Sequence, residues 1–368
     1  MGTMGSVTLA LCGDVMLGRG VDQILPHPGD PVLREPSVRD AREYVSLAVE
    51  ANGPLPEPVP FDWPWGDALA VLRESAPDAL VLNLETSVTR DGRFAPGKEI
   101  HYRMNPANLP CLAAARPDVC VLANNHVLDF DLQGLHDTLD ALDSAGLRTA
   151  GAGRDARAAA APAIVPVEGG RVLVFAFGMP SSGVDPSWAA TGDRAGVAFV
   201  PEPSAAEAAR LLDHVKRVKR PGDIAIASIH WGSNWGHHVP RDQVRFAHAL
   251  IDGGVDVVHG HSSHHPRPIE VYRGKPILYG CGDLINDYEG IGGYEGFRDD
   301  LRLLYLATLA PGTGEPASLR MAPMQAGKMS LRRPGDEDIA WLRQTLEGSS
   351  RAFGTRVTRD PDGLLSLA

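Results

Sequence analysis

Short apolar runs cut this chain into strand-sized segments, and each stops beside a residue able to bind a metal or move a proton. Val7–Leu11 runs into Gly13-Asp14, Ala79–Leu82 into Asn83-Leu84-Glu85, and Val119–Ala123 into Asn124-Asn125-His126. Further on, Ile224–Ile229 meets His230-Trp231-Gly232, Val255–Val258 meets His259-Gly260-His261, and Pro276–Tyr279 meets Gly282-Asp283; Val172–Phe177 is a weaker run of the same kind. Runs of this length, bounded by turn residues, predict buried strands. Polar groups gathered at the carboxyl ends of such strands are the usual geometry of an α/β active site, because rigid strands hold positions that loops leave loose.

Between the strands the period changes. Leu132, Leu135, Leu139 and Leu142 recur at helical spacing and end at Gly146, where a left-handed cap fits. Ala205–Lys219 and Gln243–Ile251 predict two more helices, stopped by Pro221-Gly222 and Gly253-Gly254. Strands alternating with helices predict a layered α/β domain. The proline-rich passage Pro26–Pro64 admits only a short helix near Arg42–Glu50; it reads as a wall or lid over the site, or as a surface excursion packed by Phe61, Trp63 and Trp65. Because the candidate tips run from Asp14 to Asp283, residues 1–310 are expected to form one catalytic domain. Residues 311–368 are expected to be an extension packed on that domain, a β segment after Pro311 closed by a helix near Asp336–Leu346.

The 368 residues carry a net charge of −11, which argues against nucleic acid or an anionic membrane surface as partner, since both demand basic patches. A small-molecule or polyanionic substrate would need local compensation by a metal or by arginine. No stretch approaches the ~20 apolar residues of a membrane span, so no membrane insertion and a soluble, cytoplasmic protein are expected. Cys12, Cys111, Cys120 and Cys281 show no C-x-x-C spacing and read as small buried core residues in a reducing compartment.

The chemistry sits at the strand tips. A carboxylate such as Glu85, directly after a core strand, must be paired, hydrated or bound to metal to offset its desolvation. Asn125 and His126 place a hard oxygen ligand beside a candidate acid–base group, and His230 ends the most strand-like run in the chain. The tract "HGHSSHHP" supplies His261 and His264 after a separate strand. Mixed Asp, Glu, Asn and His ligands favour Mn, Fe or Zn over calcium.

The segments "CGDVMLGRGVD", "LNLETSVT", "LANNHVLDFDLQGL", "SIHWGSNW" and "HGHSSHHPRPIEVYRGKPILYGCGDLIND" resemble, in order, the motifs of the CapA capsule-synthesis family, associated with poly-γ-glutamate production. The resemblance implies a four-layer α/β/β/α sandwich like the calcineurin-like metallophosphatases. It implies metal ligation by Asp14, Glu85, Asn125, His230 and His261, with His264 matching the last motif at one residue wider spacing. Met16 stands where a histidine partner of Asp14 belongs, and Asp283 departs from the family's usual "GNF". Arg19, with Trp231 and Asp283, is the expected substrate-binding set.

These residues lead to a metal-dependent hydrolase or transferase acting on an amide, ester or phosphoester of an anionic substrate. His126 is expected to donate a proton to the leaving group. The alternatives are metal-free acid–base catalysis by Glu85, His126, His230 and His264 in a condensation, cyclisation or amide-bond step, and a non-catalytic accessory role in capsule-polymer synthesis.

Overall fold

Alternation along the strands sorts the side chains of this computed structural model, which describes residues 6–310, 314 and 316–367, into two outer cores and one inner core. In the first sheet Leu9, Leu11, Val81 and Val121 point inward, while Ala10, Cys12, Leu80 and Leu82 point outward. In the second, Val172, Val174, Ile226 and Val257 point inward, against the first sheet, and Leu173, Phe175, Ala225 and Val258 point outward. Helices Ala68–Ser75 and Asp131–Ser144 cover the outside of the first sheet through Val71, Leu72, Leu135 and Leu142. Helices Ala205–Val218 and Arg241–Asp252 cover the second through Leu212, Val215, Phe246 and Leu250. The result is a four-layer α/β/β/α sandwich.

Among the described residues the first sheet has ten strands, with Val7–Val15 at its centre, parallel to Ala79–Leu84 and antiparallel to Leu301–Leu309. Ala79–Leu84 continues into Val119–Val121 and Arg148–Ala150, all parallel. The second sheet has six strands among the described residues, and Gly170–Gly178, Ile224–His230, Val257–His261 and Lys275–Leu278 lie parallel within it. Each predicted strand run is therefore a strand, and the helices form at Asp131–Ser144, Ala205–Val218 and Arg241–Asp252. The four cysteines are free and buried.

Past residue 310, the expected domain boundary falls at Pro311, outside the described residues. Strands Pro316–Ala326, Val357–Arg359 and Leu365–Leu367 extend the first sheet, and helix Asp336–Ser350 sends Ile339, Leu342 and Leu346 into the inner core. The proline-rich passage forms helix Arg42–Asn52 and a short turn at Trp63–Trp65. Trp65 is fully buried in the outer core with its indole N–H donated to the Cys111 carbonyl, so this part of the passage is covering structure. Among the described residues no helix is long and apolar enough to cross a membrane.

Candidate functional site

The inward rows of the two sheets change from apolar to polar at the same end. In the first sheet the row Ala79, Val81 continues as Asn83 and Glu85, and in the second Ile224, Ile226 continues as Ser228 and His230, beside Val257, His259 and His261. Parallel register sets His230 directly opposite His261. All these groups are buried. Simple alternation would instead put Asp14 on the outer face with Ala10 and Cys12. A register shift between Cys12 and Asp14 re-aims it inward, the usual effect of a bulge beside a site. Gly13 permits this, since a Cβ there would meet the Gly282 carbonyl oxygen at 1.7 Å.

Asp14 accepts from Asn83 Nδ2 at 2.7 Å and from the Ser262 backbone N–H at 3.1 Å. Ser262 takes a positive φ of 103°, a strained backbone for a non-glycine residue, at the point where its N–H turns to Asp14. Asn83 also donates to Glu85 Oε2 at 3.2 Å and accepts from Asn124 at 3.0 Å. The Nδ1 atoms of His230 and His261 lie 2.8 Å apart, and His230 Nε2 meets Asn125 Oδ1 at 2.9 Å. His261 Nε2 is held by Ser228 at 3.0 Å, which also meets His259. His264 Nδ1 pairs with Asp283 at 3.0 Å, and register places Asp283 opposite Asp14.

Among the described residues, two sets of three can each offer one ligand atom within 4.8 Å of one another: Asp14, His230 and His261, and Asp14, His264 and Asp283. Of the expected ligands, Asp14, His230 and His261 form the first set. Asp283 and His264, expected as a substrate contact and an acid–base group, form the second with Asp14. Glu85 lies beside both sets, its Oε1 3.8 Å from Nε2 of His126 and of His230. Asn125 reaches the cluster through His230.

The electrostatics favour a cation here. Burial, then the neighbouring Asp283 carboxylate, push Asp14 up to about 7, and burial with Asp14 raises Glu85. No lysine or arginine pairs with Asp14, Glu85 or Asp283 among the described residues. Burial holds His230 and His261 neutral, the form that ligates a metal. Two imidazole nitrogens 2.8 Å apart approach the ~3 Å separation of adjacent ligands around one ion at bond lengths near ~2.1 Å. The donor set therefore fits a divalent transition metal, with Asp14 common to both halves.

A second cluster flanks the first. His126 Nδ1 meets Asp129 Oδ2 at 2.6 Å, which turns Nε2 toward Glu85. Lys98 donates to Asp129 and to the Asn125 backbone carbonyl, and Tyr102 N–H donates to Asp129 at 2.7 Å. Burial outweighs the pull of Asp129 and brings His126 down to about 4, while His126 and Lys98 lower Asp129 against its own burial. Sequence reasoning missed Asn83, Lys98 and Asp129. Alternation with Glu85 marks Asn83, and the three-residue step from His126 marks Asp129; nothing local marks Lys98.

Two expected substrate contacts, Arg19 and Trp231, are placed in buried contacts within the protein. Arg19 is buried, its guanidinium bonded to Asp287 at 2.8 Å and Glu35 at 2.9 Å and stacked 3.7 Å over Tyr44, so these two carboxylates already occupy it. The proline-rich passage supplies Glu35 and Tyr44. Trp231 points into the outer core, its indole donating to the Tyr279 carbonyl at 3.0 Å and its ring packed near Phe246. Position 231 follows His230 by one residue, and period two sends it to the opposite face.

Comparison with known proteins adds a family. The model of the bacterial capsule synthesis protein PGA_cap matches residues 8–288. A probable polyglutamine synthesis accessory protein of Mycobacterium tuberculosis is 56% identical over 363 residues, covering 98% of this chain and 96% of that protein. A PGA biosynthesis protein CapA of Bacillus subtilis is 28% identical over 284 residues, covering 76% of this chain and 63% of its own length. A crystal structure of a 5'-nucleotidase precursor from Thermus thermophilus aligns with 94% of this chain and 59% of that one, at a TM-score of 0.49 and 15% identity.

Proposed function

This chain belongs to the bacterial capsule synthesis protein family PGA_cap, and from that premise we propose a metal-dependent hydrolase or transferase that acts on an amide, ester or phosphoester of an anionic substrate. The names of its relatives speak of polyglutamine and PGA synthesis, and together with the poly-γ-glutamate association of the CapA resemblance they point to a glutamate-bearing chain as that substrate. One observation carries the reading: Asp14, Glu85 and Asp283 are buried together with histidines and without a lysine or arginine partner among the described residues. A buried carboxylate cluster of this kind is stable only protonated or beside a cation.

Asp14, His230 and His261, with His264 and Asp283 on the other side of Asp14, would hold a divalent Mn, Fe or Zn ion. When bound, such an ion polarises a reacting oxygen and lowers the pKa of a coordinated water. Asn83 fixes the carboxylates of Asp14 and Glu85 through one amide, and Asn125 orients His230. His126 Nε2 faces Glu85 with its other nitrogen held by Asp129, an arrangement that fixes the tautomer. Since burial keeps His126 neutral near pH 7, its first act is to accept a proton, and it can return that proton to the leaving group afterwards. The role expected from sequence is thus the second half of its cycle.

Metal-free acid–base chemistry is the second reading, favoured by Met16, which is fully buried where the resemblance calls for a histidine ligand, and by the self-contained pair His126–Asp129. Elemental analysis of protein purified without chelator separates the two. The metal reading expects one to two equivalents of Mn, Fe or Zn, lost in His261→Ala and Asp14→Asn, with turnover of a γ-glutamyl amide abolished by chelator and restored by the ion. No bound metal, with turnover that survives chelator, rejects it in favour of acid–base catalysis; metal bound but no turnover on any glutamyl substrate leaves an accessory role.

A further inference from the structure

The protein is strongly acidic overall, yet a cavity of about 700 Å3 beside the His126 cluster is rimmed by Arg34, Arg93, Arg103 and Arg194, with Phe94 and Trp188 in its walls. Four arginines against Asp30 and Asp131 leave the rim positive. Arg93 bonds Asp131 at 2.8 Å, but its side chain is 90% exposed, so that pair contributes little and can yield to an incoming carboxylate. Arg103 spans to Asp30 at 3.1 Å. Arg34 and Arg194 have no acidic partner among the described residues. Arg34 is stacked 4.4 Å over Phe94, and Arg194 donates one N–H to the Ala189 carbonyl at 3.0 Å, so both guanidinium planes are oriented while most donors stay free.

The same backbone walls both this cavity and the site. Phe94, Ala95 and Pro96 line the cavity; the Ala95 N–H donates to the Asp129 carbonyl at 2.8 Å; and Lys98, three residues past Ala95, binds Asp129 with its ammonium 5.2 Å from the Trp188 ring. A ligand seated on the arginines therefore lies next to Lys98 and His126.

We propose that this pocket is a subsite for a chain bearing repeated carboxylates, seated by Arg34, Arg194 and Arg93 so that its next linkage reaches Glu85 and His126. The inference deepens the proposed function and rests on that reading for the identity of the reacting bond, but not for the binding itself. With a net charge of −11 the protein repels a polyanion at long range, so attraction must come from a local cluster of this kind and must weaken with salt.

The test is calorimetric titration of the full chain with a γ-linked glutamate oligomer and, separately, with tripolyphosphate. We expect the glutamate oligomer to bind with an affinity that falls steeply with salt. The double variant Arg34→Ala/Arg194→Ala should bind it about tenfold or more weakly at an unchanged melting temperature, while Arg333→Ala, which removes an exposed arginine outside the pocket, binds it like the wild type. Equal affinity of the double variant and the wild type, or no binding by the wild type, overturns the subsite. Tighter binding of tripolyphosphate overturns the carboxylate assignment. Binding that is intact in a protein with no turnover rejects the reaction and spares the subsite; turnover with an unchanged KM in the double variant rejects the subsite and spares the reaction.

Discussion

Replacing Arg19 with alanine should unfold the protein more easily without touching the chemistry directly. The guanidinium joins Asp287 through Nε at 2.8 Å and Glu35 through Nη1 at 2.9 Å, and all three side chains are at most 4% exposed. Removing the cation leaves two buried carboxylates facing each other, and breaking such a pair costs about 3–5 kcal/mol. The backbone adds a constraint that alanine does not relieve, since Arg19 sits at φ 53° with its N–H bonded to the Arg103 carbonyl. Unfolding entropy of about 2.1 cal/mol/K per residue gives roughly 0.8 kcal/mol/K for 368 residues, so the melting temperature should fall by about 4–6 °C. Arg93→Ala, which breaks an exposed pair, should move it by about 1 °C or less. Differential scanning calorimetry of both variants beside a metal or ligand titration reads the contrast. An Arg19→Ala protein that melts with the wild type and has lost ligand affinity would show that Arg19 is a substrate contact after all.

Trp231→Ala should cost about 3–5 kcal/mol, because the ring is fully buried against Phe246 and Tyr279; a melting temperature near that of the wild type, with weakened substrate binding, would contradict its placement in the core. Gly13→Ala should disrupt the bulge that aims Asp14, seen as a lower melting temperature together with lost metal, since the new Cβ would lie 1.7 Å from the Gly282 oxygen; normal metal content would refute the re-aiming argument. Acid should destabilise the fold before any carboxylate pair breaks. Burial brings His259 down to about 4, and burial with His237 brings His265 down to about 3, both below the unfolded value of 6.5. The unfolded chain therefore takes up protons first, and stability present above pH 6.5 is lost as pH falls toward 4. Melting temperatures that stay flat from pH 7.5 to 5 would contradict this.

The strands and most residues of the candidate cluster were legible in the chain because burial on one face writes a period of two. Apolar runs ending in Asp, Glu, Asn and His marked Asp14, Glu85, His126, His230 and His261, and the inward rows of the sheets bring these tips to one end. Helices Asp131–Ser144 and Ala205–Val218 were readable for the same reason at a period of 3.6. Adjacency across strands is different, because nothing local records it. That His230 faces His261, that Asp283 faces Asp14, and that a bulge at Gly13 turns Asp14 inward follow from register and from one close backbone approach. Arg19 and Trp231 show the limit from the other side: each lies in a motif rich in polar chemistry, and each is claimed by tertiary partners. Glu35 and Asp287 are 252 residues apart and meet only on Arg19, while the face of a strand that Trp231 occupies is decided by which side the helices cover. Sequence thus determined which groups carry chemistry, through local pattern; the tertiary structure decided which of them meet, because contact between distant segments depends on packing and register that no single segment encodes.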